Sequence, residues 1–188
     1  QIATVWKQEP GILELLKQWV VSHESDDVRR EAVEQIATGW KQEPGILELL
    51  KQWVVSHESV RVRYEAVKQI ATGWKQEPGT LELLKQRVVS DESEYVRYIA
   101  AQQIASGWKQ EPGILELLKQ WVVSHESVRV RYEAVKQIAT GWKQEPGTLE
   151  LLKQRVVSDE SEYVRYIAAQ QIASGWKQEP GILELLKQ

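Results

Sequence analysis

The 188-residue sequence predicts an all-α fold, an open right-handed α-solenoid of two-helix repeats. Three observations carry that prediction. Trp6, Trp40, Trp74, Trp108, Trp142 and Trp176 recur every 34 residues, and Pro10, Pro44, Pro78, Pro112, Pro146 and Pro180 keep the same period. Each period holds two stretches whose apolar residues gather on one side at helical spacing. At about 12 to 15 residues, neither stretch can bury its apolar face alone, so successive units must stack.

The first helix of each unit, the A helix, follows the proline. Gly11-Ile12-Leu13-Glu14-Leu15-Leu16-Lys17-Gln18-Trp19-Val20 is its first instance, with Pro10 expected at the first helical position and Gly11 weakening the start. His23-Glu24-Ser25 interrupts, and Ser25 is expected to cap the B helix by accepting from an amide of its first turn. In that B helix Val28, Ala32, Val33, Ile36, Ala37 and Trp40 occupy one half of the wheel; Asp27, Arg30, Glu31, Glu34, Gln35 and Thr38 occupy the other. Gly39 is expected inside the helix end, permitting close packing, because its counterpart Val5 argues against a left-handed cap. Glu43-Pro44 closes the unit, since a residue before proline is disfavoured in helix.

The expected organisation is one repeat domain over residues 1–188. Residues 1–6 end a B helix, complete repeats span 7–40, 41–74, 75–108, 109–142 and 143–176, and 177–188 form a partial A helix. Residues 103–170 repeat residues 35–102 with the single change of Thr38 to Ser106, so two repeat types alternate. Such near identity implies recent duplication or deliberate construction. Nine Trp and six Tyr beside no Phe, Met or Cys agree with repetition, and the absence of Cys removes disulfides and thiol chemistry. A net charge of -3 argues against nucleic acid as a partner, and no apolar run is long enough for a membrane span. A cytoplasmic protein without a cofactor is expected.

Period alone suggests the tetratricopeptide repeat, but its Leu-Gly and Tyr are missing after Trp40, and the ankyrin Thr-Pro-Leu-His signature is absent. Val28-Arg29 followed by Ala32 and Ile36 recurs as Val62-Arg63, Ala66, Ile70 and as Val96-Arg97, Ala100, Ile104. This resembles HEAT-like repeats. The frame Ile-Ala-x-Gly-Trp-Lys-x-x-Pro-x-x-Leu-x-Leu-Leu-Lys is similar to bacterial HEAT-like arrays often attached to NACHT or STAND-type signalling NTPases. The resemblance implies A helices on a convex side, B helices on a concave side, and a loop acid near the B-helix Arg. Asp91 and Asp159 supply that acid, whereas His23, His57 and His125 replace it elsewhere, with Glu24, Glu58 and Glu126 beside them.

No catalytic or metal site is expected. One His per 34 residues cannot converge with others, no His-Glu-x-x-His occurs, and no serine has a neighbouring base. Arg29, Arg63, Arg97, Arg131 and Arg165 fall in the apolar arc of the B helix and are expected to form a structural ladder bonded to loop acids and carbonyls. Two surfaces remain as binding candidates. The outward B-helix arc varies most, and Tyr64, Lys68, Tyr95, Tyr98, Ile99, Arg129, Tyr132, Lys136, Tyr163, Tyr166 and Ile167 make it the expected protein- or peptide-binding face. Trp19, Trp53, Arg87, Trp121 and Arg155 form a second strip, expected to be a half-exposed edge because one position accepts both Trp and Arg; position 12 varies with it, as Ile12 and Thr80.

These features favour a non-enzymatic binding scaffold. The alternative is a structural or engineered module without ligand, self-associating through uncapped ends.

Overall fold

The computed structural model describes residues 9–185. Among these the chain is entirely helical, an α-solenoid in which short A helices alternate with longer B helices. The A helices are α1 (Ile12–Ser22), α3 (Ile46–Ser56), α5 (Thr80–Ser90), α7 (Ile114–Ser124) and α9 (Thr148–Ser158). The B helices are α2 (Asp26–Gly39), α4 (Val60–Gly73), α6 (Glu94–Gly107), α8 (Val128–Gly141) and α10 (Glu162–Gly175), and α11 (Ile182–Leu185) opens a further A helix. The partial B helix expected over residues 1–6, with Trp6, lies outside the described residues, as do the last three residues of the expected terminal A helix.

Two compact units divide the chain, Gln1–Ala100 and Ala101–Gln188, the division falling within α6. In the first, α1 packs on α2 and α3 on α4, while the B helices α2 and α4 lie against each other. In the second, α7 packs on α8, α9 on α10, and α8 on α10. Within each unit, these B helices thus touch both their own A helix and a neighbouring B helix. Leu16, Leu50, Leu84, Leu118 and Leu152 from the A helices, with Ile36, Ile70, Ile104, Ile138 and Ile172 from the B helices, are fully buried.

The A helix starts differently from expectation. Pro10 and its counterparts lie in the preceding turn, and the glycine that follows takes a left-handed conformation, φ 85° at Gly11 and 86° at Gly45, as the N-cap residue. Proline is therefore not the first helical residue; glycine supplies a backbone angle that a Cβ would disfavour. At the other end, Gly39 closes α2 and the Trp40 amide donates to the Ile36 carbonyl at 3.0 Å. Gly73 makes room for the Lys41 stem, 3.7 Å from where a Cβ would sit, and the Lys41 ammonium lies 5.7 Å over the Trp74 ring. Lys109 and Lys143 hold the same position over Trp142 and Trp176.

Ser25, Ser59 and Ser161 stand at the B-helix N-caps in extended conformation but give no side-chain cap bond. The expected serine cap is replaced by a bond running the other way. The Ser25 and Ser59 amides donate to Nδ1 of His23 and His57 at 3.1 and 3.0 Å, and the Ser93 and Ser161 amides donate to Oδ1 of Asp91 and Asp159 at 2.9 Å. His and Asp can share this position because each offers an acceptor to the same serine amide.

Candidate binding surfaces

The B-helix arginines are held by the loops. In the first unit Arg63 is buried and donates from Nη1 to the carbonyls of His57 and Glu58, at 2.8 and 3.1 Å. Its Nε and Nη2 meet both oxygens of Asp91 in the following repeat, and Nη2 also reaches Glu92 at 3.0 Å. Arg131 repeats this arrangement in the second unit with Asp159, Glu160 and the carbonyls of His125 and Glu126. Arg97 bonds the Asp91 carbonyl, and Arg165 bonds those of Asp159 and Glu160. A buried guanidinium so surrounded is paired and satisfied.

Where histidine stands in place of aspartate the junction is built otherwise. Arg29 turns to Glu58 at 2.8 Å and to the His23 carbonyl. His57 Nε2 lies 3.0 Å from the Val20 carbonyl. A carbonyl only accepts, so Nε2 carries the proton and Nδ1 is free to accept from Ser59. Burial holds the His57 pKa below its ordinary value, Arg29 and Arg63 adding to that effect and the Val20 carbonyl and Glu58 opposing it.

On the outward B-helix arc, Tyr95, Tyr163 and Tyr166 are 55%, 66% and 62% exposed, and Arg129 is exposed with them. Tyr64, Lys68, Tyr98, Tyr132 and Lys136 are half-buried. Ile99 and Ile167, expected on the same face, are only 2% exposed and belong to the core. Their Glu counterparts follow them inward: Glu65 and Glu133 are 1% exposed. The buried arc of a B helix is wider than a one-sided wheel suggests, because the helix is covered by its own A helix and by neighbouring B helices.

The buried glutamates are bonded, though unequally. Glu65 Oε1 accepts from Gln69 at 2.7 Å and lies 3.3 Å from Lys68 Nζ, and Arg30 approaches Oε2 at 3.5 Å. Glu133 Oε1 accepts from Gln137 and Gln102 at 2.6 and 3.2 Å, while its Oε2 has no hydrogen-bond partner and the Lys136 ammonium stands 3.9 Å off.

The second strip also differs from expectation. Trp53 and Trp121 are 6% exposed, so they are core residues; Trp19, in the first described repeat, is half-buried. Arg87 and Arg155, at the same position in alternate repeats, are half-buried and bond Ser90 and Ser158 at 3.1 and 3.2 Å. Thr80 and Thr148, which accompany these arginines, are fully buried and donate to the Trp74 and Trp142 carbonyls at 2.9 Å. The strip is thus not a half-exposed edge throughout: Trp53 and Trp121 fill covered sites, and Arg87 and Arg155 reach out to a serine one turn on.

Among the described residues, no cluster of three or more His, Asp or Glu is placed to hold a metal ion, and no helix is long and apolar enough to cross a membrane. A family model described as HEAT repeats matches residues 13–105 and again residues 81–173. The two matches are offset by 68 residues, the length of one pair of alternating repeats. Neither the search of curated proteins nor that of solved structures returned a match.

Proposed function

This chain belongs to the HEAT-repeat family, whose repeats commonly serve as non-enzymatic scaffolds for other proteins, and we propose that it binds a protein or peptide along the outward surface of its B helices. The observation that carries this reading is the exposure of Tyr95, Tyr163 and Tyr166, each more than half open to solvent on a helix whose other face is packed. Tyrosine combines a large apolar ring with a hydroxyl that tolerates water, which makes it a frequent anchor in protein interfaces. Arg129, exposed on the same arc, adds a charged group that would orient a partner.

The test replaces Tyr95 and Tyr163 with Ser and Tyr166 with Gln. Each exposed substitution should change folding stability by no more than about 0.5 kcal/mol. A partner captured by the wild-type chain should lose about 2 kcal/mol of affinity for the triple variant. Equal capture by both proteins would refute the assignment. The near identity of residues 35–102 and 103–170 favours a second reading, a structural module without ligand. That reading predicts concentration-dependent light scattering of the pure chain that the tyrosine substitutions leave unchanged.

A further inference from the structure

An opening of about 380 Å³ lies on the first described repeat, within one unit. Leu16 and Trp19 of α1 and Val28 and Ala32 of α2 give its apolar lining; Asp27, Arg30, Glu31 and Gln35 give its polar one. One repeat later the same surface is covered. Leu50, Trp53, Val62, Glu65, Ala66 and Gln69 are all buried, and α2 lies against α4. Two contacts show how a B helix sits there: Asp27 pairs with Arg61, and Arg30 with Glu65. In the first repeat Trp19, Val28, Glu31 and Gln35 are only half-buried, so the surface that accepts a helix elsewhere keeps an open side.

The charge at the two contact positions differs between the repeats. Arg61 corresponds to Asp27 and Glu65 to Glu31, so a base and an acid in the second repeat are two acids in the first. Arg30 is the one cation of the lining, and it already meets Glu31 and Glu34. Around it Asp26, Glu34, Glu58 and Glu65 outnumber Arg29, Arg61 and Lys68, each of which meets a carboxylate. A helix lying here as α2 lies on α4 brings two residues three apart to Asp27 and Glu31, and complementarity requires both to be cations. Its neighbouring side chains meet Trp19 and Val28, which suit an aliphatic group or the stem of an arginine. The B helices of this chain do not match, for at those two positions they carry Asp and Arg, Arg and Tyr, or Tyr and Tyr.

We propose that this opening docks a basic amphipathic helix of another protein, two Arg or Lys side chains three residues apart reaching Asp27 and Glu31 while its apolar side rests on Trp19 and Val28. None of the exposed tyrosines lines the opening, so the site is independent of the tyrosine surface on the B helices.

The experiment follows the indole N–H resonance of Trp19 in the full chain by NMR, assigned with Trp19→Phe. The probe is a capped alanine-based helical peptide carrying two arginines three residues apart, with leucines on the same face. One control has citrulline in place of both arginines, which keeps their shape without the charge. A second control is a peptide of residues 59–74 of this chain, standing for a second copy. The arginine peptide should shift the resonance saturably, with a dissociation constant on the order of 0.1 mM, and both controls should bind at least about fivefold more weakly. Asp27→Asn and Glu31→Gln should each weaken the arginine peptide about threefold and leave the citrulline peptide unchanged. The Asp27 side chain is 71% exposed, so Asp27→Asn keeps the fold and carries the test should Glu31→Gln fail to fold. Four results would each overturn the proposal: no saturable shift at Trp19, equal binding of the citrulline peptide, equal or tighter binding of the peptide from this chain, or undiminished binding of the arginine peptide by Asp27→Asn.

Discussion

Arg63 grips Asp91 of the next repeat through two bonds, Nε to Oδ2 and Nη2 to Oδ1, both 3.2 Å, with neither side chain open to water. Asp91 also accepts from the Ser93 amide, so one carboxylate both caps a helix and joins two repeats. Removing it strands a buried cation. Asp91→Ala should therefore destabilise the chain by about 3 kcal/mol or more in urea unfolding. Glu58→Gln breaks the Arg29 pair, in which Glu58 is largely exposed, and should cost under about 1 kcal/mol. Equal costs would mean that the buried pair is not what secures the junction.

The histidine junction responds to pH. Folding keeps His57 neutral, donating to Val20 and accepting from Ser59, with its pKa below the unfolded value. The unfolded chain therefore binds this proton first as pH falls through about 6.5. Stability supplied by His57 is fully present above that pH, is lost between the unfolded and the folded pKa, and levels off below. His57→Asn keeps an acceptor for Ser59 without titrating. The difference in urea midpoint between wild type and this variant should shrink as pH is lowered from about 8 to about 5. A constant difference would refute the assignment of a neutral ring.

Two glycine classes separate by substitution. Gly45 has φ 86°, and open space surrounds the position of its missing Cβ, so Gly45→Ala should cost about 1 kcal/mol through backbone strain alone. Gly73 ends a helix without a positive φ, and an added methyl would meet the Lys41 stem at an ordinary 3.7 Å. Gly73→Ala should be neutral or stabilising by about 0.5 kcal/mol. Thermal melts of the two variants shifting in the same direction would contradict this.

The period, the alternation of helix types and the inward Val, Ala and Ile positions were legible because each depends on local spacing. What a single helix cannot disclose is which of its sides a neighbouring repeat covers. A wheel puts Glu65 and Ile99 outward; neighbouring helices put them inside. The alternation of Glu with Ile at that position was the available signal, since Ile has no reason to recur on a solvated arc. Trp53 and Arg87 share a position yet not an environment, because Arg extends past the covered site to Ser90 while Trp fills it. The exposed tyrosines stood out in sequence as a variable aromatic set on the outward arc.

The same alternation makes the final prediction. Glu133 is buried with one carboxylate oxygen lacking a hydrogen-bond partner, whereas the residue at the equivalent position of the next repeat, Ile167, is an equally buried aliphatic side chain. A buried carboxylate bears a desolvation cost that incomplete bonding does not offset, and replacing such a group with a hydrophobic residue of similar size is often neutral or stabilising. Gln137 and Gln102, which donate to Glu133, are only half-buried and can turn to water when it is removed. Glu133→Ile should therefore raise stability by about 1 kcal/mol, read as a higher urea midpoint with an unchanged slope. The reverse exchange, Ile167→Glu, would bury a new carboxylate and should cost about 2 kcal/mol or more. Destabilisation by Glu133→Ile comparable to that by Ile167→Glu would show instead that each repeat type is specifically fitted to its own residue, with the glutamate bonds outweighing desolvation.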